Sequence, residues 1–408
     1  MFNFTPPFQN PEGSPIRELF KYLSEPGMIS LGGGYPASEL FDTEGLQAAA
    51  AQAWMKPTRC LQYGPTEGLP ELRHEVSRLM RQRAVAVPET QVMITTGSQQ
   101  GFDLLLRVLI NPGDTVLTEQ PAYPATLQAL KLQQAKIVTV PVDQNGLDVS
   151  RLSEMLMSGD VDTPKLLYTV PSFANPSGAT LSSERRLALV NLAVKFGFVI
   201  VEDDPYGDLR FSGTPIPVLR ALAESIEGGR ERVVYLGSLS KIVAPGLRVG
   251  WMVGSEELVR RCVVAKQTAD LCGSPWTQAI AAAYLEQGML AGQLPRIVSA
   301  YRQKCDVLCC ELERSLTGEL RFHRPEGGMF VWASLGGVDS SELLRFAISE
   351  RVLFVPGKAF FFDQVDPSTL RLSFAAPSLA QLTEAAARLS RALRALRRGG
   401  QVETGNKR

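Results

Sequence analysis

Short β-branched runs alternate with longer helical patterns through the middle of the chain. They are Val92-Met93-Ile94-Thr95, Thr115-Val116-Leu117, Lys136-Ile137-Val138-Thr139-Val140, Leu166-Leu167-Tyr168, Phe198-Val199-Ile200-Val201 and Val233-Val234-Tyr235-Leu236. Strands spaced by helices pair through crossovers, so this rhythm predicts an α/β fold with a mainly parallel sheet covered by helices. In such sheets ligands collect beyond the carboxyl ends of the strands, which makes the residue after each run the one to read. Those residues are polar.

After about residue 300 the pattern changes. A charged helix over about 291–316 precedes short strands at Met329–Trp332, Val352–Val355 and Leu370–Ser373. This reads as a smaller α+β domain over 296–408, beside a large domain over 46–295. Residues 1–45, dense in Pro and Gly, are too short to fold alone and are expected to pack on the small domain. The polar, basic stretch from Arg397 to Arg408 reads as a frayed end.

Charge and residue usage narrow the chemistry. Of 408 residues, 42 are Lys or Arg and 42 Asp or Glu, so no bulk charge draws the chain to nucleic acid or to a membrane. Two histidines, His74 and His323, lie far apart and read as solvated groups. Six cysteines lack CxxC spacing, so no metal is expected and free thiols in a reducing compartment fit better. The N-terminus shows no secretory pattern, and no apolar run approaches about 18 residues, so a cytoplasmic chain is expected.

Four strand ends hold candidate chemistry. Gly237-Ser238-Leu239-Ser240-Lys241 follows the run ending at Leu236, with Arg248 seven residues on. A lysine there can form a Schiff base, and hydroxyls with a guanidinium suit a phosphate; a strand exit with a solvated lysine is the plainer reading. Glu202-Asp203-Asp204-Pro205-Tyr206 puts carboxylates and a phenol at another end, where they could cap or could face a protonated ring nitrogen. Asn175-Pro176-Ser177-Gly178 is first a turn. Thr96-Gly97-Ser98-Gln99-Gln100-Gly101 opens a helix whose amides and serine suit an anion, or serve only as a cap.

Taken in order with Arg371, these motifs resemble the class I/II aminotransferases of fold type I, over about residues 14–395. Ile29–Gly34, Leu61-Gln62-Tyr63-Gly64-Pro65 and Glu119-Gln120-Pro121-Ala122-Tyr123 are similar to the 2-aminoadipate and kynurenine aminotransferase branch. Ser177 stands where threonine is usual, and a hydroxyl is kept. The resemblance implies a seven-stranded, mainly parallel sheet sandwiched by helices, pyridoxal 5′-phosphate, and a homodimer with shared active sites. It implies that Lys241 forms the Schiff base and moves protons, and that Asp203 keeps the pyridine nitrogen protonated. Asn175 and Tyr206 would bond the ring hydroxyl, Tyr123 would stack, and Ser98, Gln99, Ser238, Ser240 and Arg248 would take the phosphate with Tyr63 of a second subunit. Arg371 would clamp the substrate carboxylate, with Asn175, Gly33 and Gly34 nearby. Arg17, in Ser14-Pro15-Ile16-Arg17-Glu18-Leu19, resembles a reader of a distal carboxylate or is a solvated helix residue.

The expected reaction moves an amino group from an L-amino acid, with 2-aminoadipate, aromatic and leucine-like donors as candidates, to a 2-oxo acid such as 2-oxoglutarate by a ping-pong mechanism. A lyase, decarboxylase or racemase on the same fold needs the same lysine, aspartate and phosphate site. A ligand-sensing aminotransferase-like regulator is a third reading, disfavoured because no basic helix-turn-helix precedes the matching region.

Overall fold

The computed structural model describes residues 2–9, 13 and 15–405. Ser14 of the N-terminal motif and residues 406–408 of the tail lie outside the described residues.

Strands in chain order are β1 (Ile29–Ser30), β2 (Val92–Thr95), β3 (Thr115–Gln120), β4 (Lys136–Asp143), β5 (Gly146–Leu147), β6 (Leu166–Thr169), β7 (Val199–Asp203), β8 (Val233–Ser238) and β9 (Gly250–Val253). The large sheet runs β2-β9-β8-β7-β6-β3-β4-β5. The pairs β8–β7, β7–β6, β6–β3 and β3–β4 are parallel, as the alternation of runs and helices requires. Every residue of β2, β6 and β8 is buried, because helices cover both faces.

Two details exceed the sequence reading. The expected seven strands are present and the two-residue β5 adds an eighth, antiparallel to β4 at the edge. β9 is antiparallel to both β2 and β8. The stretch joining β8 to β9, residues 239–249, contains a 3₁₀ turn but no crossover helix, and a return that short reverses the strand. That return carries Lys241 and Arg248.

The rest of the chain supplies a small sheet. A helix over Met289–Ser315 leads to β10 (Leu320–Phe322), β11 (Phe330–Leu335), β12 (Val352–Leu353), β13 (Val355–Pro356) and β14 (Thr369–Ser373). Four of these form an antiparallel sheet in the order β10-β11-β14-β13. The single strand expected over Val352–Val355 is divided at Phe354. β12 pairs in parallel with β1 instead, with Ile29 opposite Val352. Leu31 N–H donates to the Leu353 carbonyl at 2.7 Å and accepts through its own carbonyl from Ser373 N–H at 2.7 Å, so residues 29–31 are stitched to the small sheet. The basic tail also differs from expectation, because the helix that opens at Leu379 continues to Gly405. Among the described residues no helix is long and apolar enough to cross a membrane.

Candidate active site

The carboxyl ends of β2, β3, β6, β7 and β8 converge on a cavity of about 710 Å³. β8 ends at Ser238, whose hydroxyl donates to Ser240 Oγ at 2.9 Å and accepts from Ser240 N–H at 3.1 Å. This tight turn aims Lys241 into the cavity, where Nζ donates to the Gly34 carbonyl at 2.9 Å. Arg248 leaves the same return with φ of +52°, and its guanidinium donates to the Thr96 carbonyl at 3.1 Å beside the start of the helix Ser98–Leu109. Gly97, which precedes that helix, has a φ of +78° that disfavours other residues, and a Cβ there would press on Arg248 Nη2 at 2.6 Å. The helix carries no side-chain cap, so the cap position leaves its first amides turned outward.

β7 delivers two adjacent carboxylates to opposite sides, as alternation along a strand demands. Asp203 lines the cavity. Its Oδ2 accepts from Tyr168 Oη at 2.6 Å, while its buried Oδ1 has no hydrogen-bond partner. Asp204 turns away, accepting from Tyr235 Oη at 3.0 Å and Gly207 N–H at 3.1 Å, close to the half-buried Arg83. Burial pushes the Asp203 carboxyl up from 3.8 to about 6, although Tyr168 and Ser98 pull it back. Burial, followed by the positive charges of Arg371 and Arg248, lowers the Lys241 amine from 10.5 to about 8.

The small sheet contributes the opposite wall. Arg371 sits in mid-β14, paired with Trp332 of β11 and Val355 of β13, and only 1% of its surface is exposed. Nη1 donates to Asn175 Oδ1 at 2.6 Å and Nη2 to the Gly32 carbonyl at 2.5 Å, while Nε is buried without a partner. The guanidinium carbon lies 4.3 Å from the centre of the Phe330 ring and 5.0 Å from that of Phe360. Burial lowers its pKa to about 10, so it stays charged at neutral pH. Burial raises the phenols of Tyr206 and Tyr123, which therefore remain protonated donors.

Most of the residues singled out in the sequence meet here: Ser98, Gln99, Tyr123, Asn175, Asp203, Tyr206, Ser238, Ser240, Lys241, Arg248, Arg371, Gly34 and Arg17 all line the cavity. Two do not. Gly33 stands back from it under the Tyr35 ring, and Tyr63, 78% exposed, lies outside it on a shallow depression with Arg59 and Pro65. Tyr168 is a site residue that sequence reasoning misses. It sits in a run that reads as core, yet a buried tyrosine needs a partner for its hydroxyl, and that requirement is the available signal.

Pyridoxal 5′-phosphate fits this donor set. It is an aromatic ring bearing a nitrogen that can be protonated, a hydroxyl, an aldehyde and a phosphate. The orphaned Asp203 Oδ1 suits the nitrogen, and Arg248 with the uncapped helix start and the serine hydroxyls suits the phosphate.

The family description Aminotransferase class I and II matches residues 32–389. The aromatic-amino-acid aminotransferase 1 of Thermococcus litoralis is 40% identical over 368 residues, covering 89% of this chain and 87% of its own. The 2-aminoadipate transaminase of Thermus thermophilus is 40% identical over 387 residues, covering 94% and 95%. Among solved structures, the α-aminoadipate aminotransferase LysN from Thermus thermophilus, complexed with N-(5′-phosphopyridoxyl)-L-leucine, superposes with a TM-score of 0.87 at 40% identity, covering 94% of this chain and 95% of that one. The chain belongs to the class I and II aminotransferases and is a pyridoxal 5′-phosphate-dependent aminotransferase of fold type I.

Proposed function

We propose that the enzyme takes the amino group of a large L-amino acid, 2-aminoadipate or an aromatic or leucine-like donor, and passes it to 2-oxoglutarate in two alternating half-reactions. The convergence of Lys241, Asp203 and Arg371 on one cavity carries this reading. The names of the relatives, which include a 2-aminoadipate transaminase and an aromatic-amino-acid aminotransferase, support the range of donors. When bound, the cofactor supplies an aldehyde carbon that accepts an amino group and a ring that withdraws electrons from it.

Each side chain then has a task. Lys241, with its pKa lowered to about 8, keeps a neutral fraction near neutral pH, so its Nζ, when free, would take a proton from the substrate Cα and return it. Asp203, held by Tyr168, offers Oδ1 to a cationic N–H. Tyr206 and Asn175 hold the ring oxygen, and Tyr123 covers the ring face. Ser98, Gln99, Ser238, Ser240 and Arg248 hold the phosphate. Arg371, kept charged beside the Phe330 and Phe360 rings, takes the substrate carboxylate bidentately, with Asn175 and the Gly34 backbone beside it.

We read the chain as a homodimer. Tyr63, Leu61, Met55 and Trp54 are large apolar side chains left exposed on one stretch of sequence, and Tyr63, outside the cavity of its own chain, would serve the cavity of a partner. The division into 1–45, 46–295 and 296–408 is part of the same reading, supported by the separate large and small sheets.

The test is a spectrum. Adding an amino-acid donor to the holoenzyme should shift the absorbance of the bound cofactor, and 2-oxoglutarate should restore it with glutamate released. Release of carbon dioxide, or a shift that no 2-oxo acid reverses, would point to a decarboxylase or lyase instead.

A further inference from the structure

The side chain of Lys266 is fully buried and is not among the residues that line the cavity. Its Nζ donates to Asp270 Oδ1 at 2.7 Å. Asp270 Oδ2 accepts from Gln100 Nε2 at 2.7 Å, and Gln100 Oε1 accepts from Thr96 N–H at 2.8 Å. The chain of bonds ends at Thr96, whose carbonyl receives Arg248 Nη2 at 3.1 Å. Both ends of the Gln100 amide are thus engaged, one on the backbone and one on a carboxylate tied to a buried cation.

This arrangement restrains a loop with little freedom of its own. Thr95 Oγ1 donates to the Gly97 carbonyl at 2.9 Å, and Gly97 packs directly beneath the Arg248 guanidinium. Gln100 is the third residue of its helix, where a side chain reaching back ordinarily satisfies the cap amide. Here it reaches one residue further, to the Thr96 N–H, and so ties down the residue whose carbonyl meets Arg248. A rotation of Thr96 would carry its carbonyl away from Arg248, and a guanidinium misplaced by about 1 Å loses its fit to two phosphate oxygens.

We propose that Gln100, Asp270 and Lys266 form a brace that fixes the Thr96 carbonyl and, through it, positions Arg248 for the phosphate end of the cofactor. The inference rests on the reading that Arg248 binds that phosphate. The three are positioning residues and meet neither cofactor nor substrate.

Full-length protein depleted of cofactor is titrated with pyridoxal 5′-phosphate and, separately, with pyridoxal, which has the same ring and aldehyde without the phosphate. Gln100→Met should weaken binding of the phosphorylated ligand roughly tenfold and leave pyridoxal within about twofold. Asp270→Ala, which removes the far anchor, should show the same split. In an Arg248→Met background, adding Gln100→Met should change nothing further, because the brace acts through Arg248. Equal losses for both ligands in Gln100→Met would mark a merely structural role and overturn the brace. If Arg248→Met lowers the preference for the phosphorylated ligand and Gln100→Met does not, the brace fails while the phosphate reading stands. If Arg248→Met leaves that preference unchanged, the phosphate reading fails and the brace falls with it.

Discussion

Lys241, Asp203 and Arg371 reach the cavity from strands, or from turns pinned to strands, whereas Arg17 reaches it from a four-residue helix, Pro15–Glu18, followed by a single 3₁₀ turn. Asp203 and Arg371 are buried and Lys241 is half-buried, and all three are hydrogen-bonded to backbone or to other site residues. Arg17 is exposed, and among the described residues no hydrogen bond or ion pair fixes its guanidinium. Chemistry that must be identical for every substrate sits on the sheet; a side chain that need only answer to one end of one substrate sits on a short rim element. Substitutions on the sheet side should therefore strike turnover for all donors, and substitutions on the rim should sort donors from one another.

The largest effect belongs to Lys241. Lys241→Ala should abolish transfer for every donor, with the fold retained, because among the described residues no second lysine lines the cavity. Borohydride reduction of the holoenzyme followed by peptide mapping should place the label on Lys241; a label on Lys266 or Lys358 would sink the assignment. Next come the paired carboxylates. Asp203→Asn removes the anion facing the ring nitrogen and should cut kcat/KM by roughly 10²- to 10⁴-fold, about 3–5 kcal/mol of barrier. Asp204→Asn should leave turnover within a few-fold and instead lower the melting temperature, because it weakens a buried network with Tyr235 and Arg83. Reversed phenotypes would mean the two residues have exchanged roles.

Asp203 also marks where function opposes stability. Its folded pKa of about 6 lies above the model-peptide value of 3.8. Between those values the cofactor-free fold binds more protons than the unfolded chain, so its stability falls as pH rises through that window, and the whole penalty is present above about pH 6. A displacement of about two units corresponds to roughly 3 kcal/mol. Cofactor-free Asp203→Asn should accordingly be more stable than the parent at pH 7.5 by up to that amount, with the gap closing near pH 4. Denaturant unfolding at the two pH values measures it. A gap independent of pH would show that the carboxylate is not held against its solvation.

Much of this contrast was legible in the sequence, for a physical reason. Strand ends such as Ser238-Leu239-Ser240-Lys241 and Asp203-Asp204-Pro205-Tyr206 combine polar groups with the exit of an apolar run, and the crossover rule puts such exits on one edge of the sheet. What stayed hidden depends on pairings far apart in the chain. Nothing near Val352–Val355 tells that its first half pairs with Ile29–Ser30 and its second with β14. Arg371, the two phenylalanine rings around it and Gly32 beneath it come from four separate segments. Tyr168 looks like one more core residue until Asp203 is placed beside it. Gly33, grouped with Gly34 by motif, does not line the cavity and lies against the Tyr35 ring.

The smallest effect is expected at Arg17, and it is the one that separates rim from sheet. Arg17 lines the cavity, and its charge is one of those that oppose the rise in the Tyr123 pKa, so it lies close enough to be felt inside. With no partner of its own among the described residues, its guanidinium can turn toward a distal carboxylate at little cost or away from an apolar side chain. Arg17→Ala should raise KM for glutamate, 2-aminoadipate or 2-oxoglutarate by roughly 10- to 100-fold, about 1.4–2.7 kcal/mol for a lost charged hydrogen bond, with kcat little changed. Leucine and aromatic donors should shift by less than about threefold. Steady-state kinetics on one acidic and one aromatic donor decide the matter: equal losses for both would make Arg17 a packing element of the rim, and a preference for dicarboxylates would then have to be sought on the sheet side of the cavity.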